Sequence, residues 1–400
     1  MLRRTAAVVP ALCLVLTGCL RLEAPAPDVQ PGREAPPLLE VEPAGDADTA
    51  RLEPSCPAPE QQTPVLSADQ LNQMVTDSDL PFWQAADVGA SAVLSDGRVL
   101  WVFGDTLRKR PTRPQLIDNA VVVTSGTCMS QLVTDDLGAV FPRDPGELSH
   151  WPMSLVRLEP TEAHGEDVRD VVAVYLSRIQ RGERQWDFMF RGTSVAVLEV
   201  GADGVPRLAS MQHLTPDSVS FDQINWGAAA AVDGDWLYLY GTRQTGEASV
   251  YGRELYVSRV PADEPANPAA MMYWDGSEWQ PDAGRVVPIM GAVDGTSQTL
   301  SVDLVDGTWT AISKRGGDLA DEITMWTSDQ PYGPWTAAEV GRSPSGQDSG
   351  NLQYTPLAHP DIQTPSGRLL VSVSRNTTGL EELVKFPQLG RILFTEVPRP

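Results

Sequence analysis

The sequence predicts an all-β fold, a five-bladed β-propeller, on three observations. The chain of 400 residues carries 33 glycines and 34 prolines, and long amphipathic helical patterns are scarce, so a turn-rich β protein is favoured. From about residue 80 it repeats one theme: an apolar run, a tight Gly-containing turn, a second apolar run and a polar tip. The turns fall near Asp96, Asp167, Asp233, Asp306 and Ser366, a spacing of roughly 60–75 residues that leaves room for four strands per unit. A double-sheet sandwich is the alternative, and it leaves the repeat unexplained.

The N-terminus reads as a leader. MLRRTAAVVPALCLVLTGC has two arginines and an apolar run too short to span a bilayer, then Leu16-Thr17-Gly18-Cys19. The tetrad resembles the lipobox of bacterial lipoproteins, so residues 1–19 are expected to be a signal peptide with Cys19 as the lipid attachment site. An ordinary signal peptide is the alternative. Leu20 follows the cysteine in place of Asp, which in a two-membrane cell implies the outer membrane. Residues 20–65 are rich in Pro, Ala and Glu and poor in large apolar side chains; they are expected to be a disordered tether, with the propeller over 66–400. With Cys13 and Cys19 assigned to the leader and the lipid, Cys56 and Cys128 remain, and an oxidising compartment favours their pairing.

Along the propeller, ASAVLSDGRVLWVFGDT is the clearest hairpin, and EDVRDVVAVYLSRI is a degenerate second copy. AAAAVDGDWLYLYGTR, LSVDLVDGTWTAISKR and DIQTPSGRLLVSVSRN follow. DNAVVVTSG, GTSVAVLEV, RELYVSRVP, EITMWTSD and the closing GRILFTEVP supply further strands, while VPADEPANPAAMMYWDGSEW is expected to be a surface loop. Trp101, Trp236, Trp309 and Trp326 sit mid-strand and read as packing.

The net charge of −23 argues against nucleic acid, whose phosphates need a basic surface, and leaves neutral polysaccharide open. The four histidines are scattered without zinc spacing, so neither metal nor cofactor is expected, and the protein is expected to be a monomer. GQDSGN (346–351) has no His and Asp to accompany its serine and reads as a loop.

The strand ending LWVFGDTL delivers a carboxylate, Asp105, at its tip. With Asp96-Gly97 as the turn, cross-strand pairs sum to about 192 or 193, which sets Asp105 opposite Asp87 with Cβ atoms ~5 Å apart. Two like charges so close are unfavourable in a purely structural sheet, and one of them should hold its proton. Glycoside hydrolysis needs such a pair, one acid and one carboxylate. The bland alternative is solvated turn chemistry. Polar tips at the same blade position carry Arg178, Arg243, Arg315 and Arg375-Asn376; gathered at one mouth, they would orient sugar hydroxyls or an anionic glycan. Trp83, Trp226 and Tyr354, at starts of inner strands, are candidates for stacking on sugar rings.

DVGASAVLSDGRVLWVFGDT, DNAVVV, WLYLYGTR, YWDGSEW, MWTSDQPYGPW and YTPLAHPDI…SGRLLVSVSRN, taken in order, resemble the endo-D-arabinanases of glycoside hydrolase family 183, over about residues 80–396. The resemblance implies a five-bladed propeller that cleaves α-linked D-arabinofuranose chains of mycobacterial-type arabinan with inversion. It places the catalytic aspartates on Asp87 and Asp105, and marks Asn119 and His359 as binding candidates. Two other readings stand beside it: a non-catalytic glycan-binding envelope lipoprotein, and a sialidase-like hydrolase of an acidic sugar.

Overall fold

The computed structural model describes residues 50–400 except 145 and 184–186. The leader, Cys19 and most of the expected tether lie outside the described residues. The fold is a five-bladed β-propeller. Blade 1 runs, from its innermost strand, through 85–93, 99–107, 120–125 and 128–133, with the short strand 51–53 added outside and 116–117 beside the second strand. Blade 2 comprises 149–158, 168–181, 188–201 and 206–213; blade 3 comprises 225–233, 236–243, 254–261, 272–274 and 279–280. Blade 4 comprises 301–305, 308–314, 322–328 and 336–342, and blade 5 comprises 351–358, 369–377 and 393–397.

Each inner hairpin is an expected one. Gly97, Gly234, Gly307 and Gly367 occupy left-handed backbone at their turns, which only glycine adopts without cost. Between the sheets the apolar faces interlock: Leu100, Val102, Val172, Val174, Leu176 and Leu198 fill the space between blades 1 and 2. Trp101, Trp309 and Trp326 are buried packing residues.

Two parts of the chain differ from the sequence reading. Ordered structure begins before residue 66, because Arg51–Glu53 pairs antiparallel with Gln131–Val133 and Cys56 is disulfide-bonded to Cys128 with Cα atoms 5.8 Å apart. The segment 260–279 is not all loop. A 3-10 turn over 268–270 leads into an outer hairpin of blade 3, fixed by Trp274, which stacks on Tyr332 at 3.8 Å and meets Trp279.

The ring closes between blades 5 and 1 through helix Ala68–Asp77. Its N-terminus is held by a capping box between Ser67 and Gln70. Asn72 exchanges hydrogen bonds with the backbone of Phe394, so the helix covers the outer edge of blade 5. Among the described residues no helix is long and apolar enough to cross a membrane.

Candidate active site

The blade 1 hairpin keeps the expected register, with Val93 opposite Val99 and Ser91 opposite Trp101, until Ala90. There a bulge intervenes. Val88 and Gly89 both have left-handed backbone, φ 69° and 71°; Val88 pairs with Phe103 out of that register, and a second shift separates it from the Ala86–Thr106 pair. Asp87 and Asp105 are therefore not a regular cross-strand pair; the bulge turns the Asp87 side chain across the neighbouring strand. A methyl group on Gly104 would stand 2.5 Å from Asp87 Oδ1, so the carboxylate lies directly over that Cα. For a β-branched residue the Val88 conformation is strained. It is held from blade 5, where Ser374 Oγ accepts from the Val88 amide at 2.9 Å.

The two carboxyls have different partners. Asp87 accepts from the Tyr354 hydroxyl at 2.7 Å, and Asn376 Nδ2 donates to the same hydroxyl at 3.2 Å. Burial, then repulsion from Asp105, pushes the Asp87 carboxyl up to about 7. Asp105 is ion-paired with Arg181, whose guanidinium also reaches Asp118 at 3.0 Å. Burial raises the Asp105 pKa, and the Arg181 charge opposes that rise. The Asp105 side chain keeps 25% of its surface and Arg181 30%, so a ligand at the mouth can reach both. Asp118 is anchored by Arg143 at 2.6 Å, and its carboxyl is held below the usual range through Arg143 and Arg181 against the cost of burial.

Tyr354 and Asn376 thus stand behind Asp87. The other expected binding residues lie elsewhere. Trp83 is fully buried against Phe103. Trp226 packs on Tyr273 within blade 3. Asn119 bonds to the backbone of Phe141 and His150 inside the fold. His359 is buried between blades 1 and 5, with Ser91 Oγ at 2.6 Å and Ser372 Oγ at 2.8 Å, and desolvation lowers its pKa to about 3. Arg243 is paired with Glu254 and lies over Tyr256. Arg375 donates to the carbonyls of Arg391 and Gln388, a structural brace. Of the expected ring of arginines, Arg178 is buried against His213 and Thr215, and Arg315 pairs with Asp294 on the surface.

Arg181, Asp118 and Trp151 complete the site and are the residues that sequence reasoning missed. The second strand of blade 2 runs three residues past Arg178 after a register shift between Arg178 and Ile179, so Arg181 and not Arg178 reaches Asp105. The signal was present in LSRIQR, where two arginines sit three apart on a strand and so point to opposite faces unless a bulge intervenes. Trp151 lies beneath Arg181, the guanidinium 4.9 Å from its ring centroid. Among the described residues no group of three or more His, Cys, Asp or Glu side chains gathers as a metal would require.

A pair of carboxyls, one protonated near neutrality and one ion-paired, can pass a proton to a leaving oxygen and take one from water. Solved structures share the architecture. A hydrolase candidate from Bacteroides ovatus superposes with a TM-score of 0.61 at 15% identity, over 89% of this chain and 96% of that one. A glycoside hydrolase family 43 arabinoxylan arabinofuranohydrolase from Bacillus subtilis gives 0.48 at 14%, over 79% and 63%. An exo-β-1,3-galactanase from Phanerochaete chrysosporium gives 0.44 at 10%, over 81% and 64%. At these identities the likeness is one of fold. No functionally curated protein matches the sequence. The family profile that does match is described as a domain of unknown function, DUF5005, and carries no assignment to the endo-D-arabinanases that the motifs resemble. The match runs over residues 69–390, nearly the whole propeller, and the chain belongs to the DUF5005 family.

Proposed function

We propose that this protein is a glycoside hydrolase that cleaves a furanoside polysaccharide, with endo-D-arabinanase as its activity, and that it is exported and held at the cell envelope by lipid on Cys19. The observation that carries the hydrolase reading is the unequal aspartate pair at the propeller mouth. Asp87 keeps its proton to about pH 7 and Asp105 lies against a guanidinium. Asp87 is then the general acid: it gives its proton to the glycosidic oxygen as the bond to the anomeric carbon breaks. Asp105 is the general base: it takes a proton from a water that attacks the opposite face of the sugar, and the product is inverted. Arg181 favours the ionised form of Asp105 against the effect of burial, and Tyr354 fixes the orientation of Asp87. The GH43 enzymes sharing the fold act on arabinoxylan and on β-1,3-galactan, as their names state. The arabinan assignment rests on the motif resemblance, and export on the leader together with the Cys56–Cys128 bond.

The test is incubation of the purified protein with mycobacterial arabinogalactan, arabinoxylan and β-1,3-galactan, with Asp87→Asn and Asp105→Asn alongside. Oligosaccharides released from arabinogalactan by the wild type, and lost in both variants, support the full reading. Release from another polymer only keeps the hydrolase and removes the arabinan. Activity that survives both substitutions moves the chemistry off this pair.

A further inference from the structure

Most of the exposed large apolar side chains lie in connections that open on the face carrying Asp87 and Asp105. Phe188 is 45% exposed, Phe221 59% and Tyr251 77%. A soluble surface gains nothing from bare aromatic rings, so a concentration of them at one mouth marks a binding surface. Phe188 and Phe221 are linked to the aspartate pair by a series of contacts, and Tyr251 lies in the loop on which Phe221 rests. Arg181, which holds Asp105, lies over Trp151, and Trp151 meets Phe188 edge-on with centroids 5.0 Å apart. The strand beginning at Phe188 is tied to the next connection by Gln223, which donates to the Phe190 carbonyl at 2.9 Å, and by the Ser218 amide, which donates to Arg191 at 2.9 Å. That connection carries Phe221. Its ring lies on Gly246, where an added methyl would come within 2.6 Å of the ring, and the hairpin containing Gly246 also bears Tyr251.

We propose that Phe188, Phe221 and Tyr251 form a stacking track for successive rings of a neutral glycan chain, leading from the aspartate pair across blades 2 and 3. The proposal rests on the hydrolase reading for its choice of ligand. Sugar rings present apolar C–H faces that pack on aromatic faces without needing charge. A polyanion is disfavoured as occupant by the net charge of −23. Such a track gives the enzyme a preference for polymer over short oligosaccharides, because binding energy is collected several rings from the scissile bond.

Affinity electrophoresis in gels containing arabinogalactan, arabinoxylan or β-1,3-galactan tests this, using Asp87→Asn protein so that no polymer is cut. Phe188→Ala, Phe221→Ala and Tyr251→Ala are added to it singly and together. The parent is retarded by at least one polymer, and each ring removed weakens retention, by about tenfold where stacking is central. Matching thermal midpoints show that the triple variant is folded. The track is overturned if no polymer retards the parent, if the triple variant is retarded equally, or if the parent is a dimer that the three substitutions dissociate. Cleavage by otherwise wild-type protein separates the two readings. Polymer that is cut although the triple variant binds equally leaves the hydrolase and removes the track; polymer bound through the three rings but never cut does the reverse.

Discussion

A carboxyl group laid over the Cα of Gly104 and repelled by Asp105 keeps its proton to about pH 7, and two measurable consequences follow from that one residue. In the proposed role of general acid Asp87 must be protonated, so kcat/KM should fall as pH rises through about 7; the acid-side limb, set by Asp105 in that proposal, should lie above the ordinary value of 3.8 because burial raises it. Stability follows the same titration. The folded-state pKa of Asp87 lies above its unfolded value, so its contribution is fully present below 3.8 and is lost as pH rises through about 7. Asp87→Asn should therefore lose about 10³-fold in kcat and yet unfold at a higher temperature than the wild type at pH 8, with the difference vanishing near pH 4. An unchanged melting difference between pH 4 and 8 would remove the raised pKa. Gly104→Ala tests the geometry, since its methyl would meet Asp87 Oδ1 at 2.5 Å. Activity should drop about 10²-fold while the fold persists. Arg181→Gln should move the acid-side limb to higher pH, because Asp105 loses the charge that opposes its protonation, and Arg181→Lys should restore part of the shift.

At the scale of the element, one device recurs. The inner strands of blades 1, 2, 3 and 5 each carry a register shift near the mouth, at Val88–Gly89, between Pro152 and Ser154, between Trp226 and Ala229, and between Tyr354 and Pro356. Three of these include left-handed backbone at Val88 and Gly89, Gly227 and Thr355. The regular part of each strand was legible in the sequence, because apolar alternation and an Asp-Gly or similar turn fix the register from the closed end. The bulges were not: Val88 and Thr355 are residues that local preference would never place at positive φ, and only neighbours such as Ser374 hold them there. So the aspartates could be named, and their setting could not. The helix 68–77 was likewise invisible against a Pro-rich approach, and its C-terminus shows why tertiary contacts decide it. Its last turn has no basic residue, yet Arg391, distant in sequence, donates to the carbonyls of Val75, Thr76, Ser78 and Gln84 at 2.7–3.0 Å. Arg391→Ala should cost about 3 kcal/mol, since a charged donor is lost and buried carbonyls are left unpaired. Chemical denaturation measures it, and a loss below about 0.5 kcal/mol would mean that water replaces the guanidinium.

Across the whole molecule, the repeat was readable because every blade must bury two faces and turn at both ends, whereas ring closure was not, because it uses segments outside the repeat. Blade 5 supplies three strands, and helix 68–77 covers its outer edge; the chain before that helix runs back to blade 1 through strand 51–53. Cys56–Cys128 fixes this N-terminal segment to the blade that carries both aspartates, closing a loop of 72 residues. Cross-linking a loop of that length removes unfolded-state entropy equivalent to about 4 kcal/mol. The double variant Cys56→Ser/Cys128→Ser should therefore lower the melting temperature of the whole propeller by several degrees, and reducing agent should do the same to the wild type but not to the variant. The aspartate pair gives the second readout. Asp87 and Asp105 are held by the inner hairpin, by Ser374 and Tyr354 of blade 5 and by Arg181 of blade 2, and the N-terminal segment meets that hairpin at its turn, where Gly97 lies against Gln61 and Gln62, at the end away from both carboxyls. The pH profile of the surviving activity should thus stay in place while thermal tolerance falls. A shifted profile would mean instead that the N-terminal segment helps to set the bulge from the outside of blade 1.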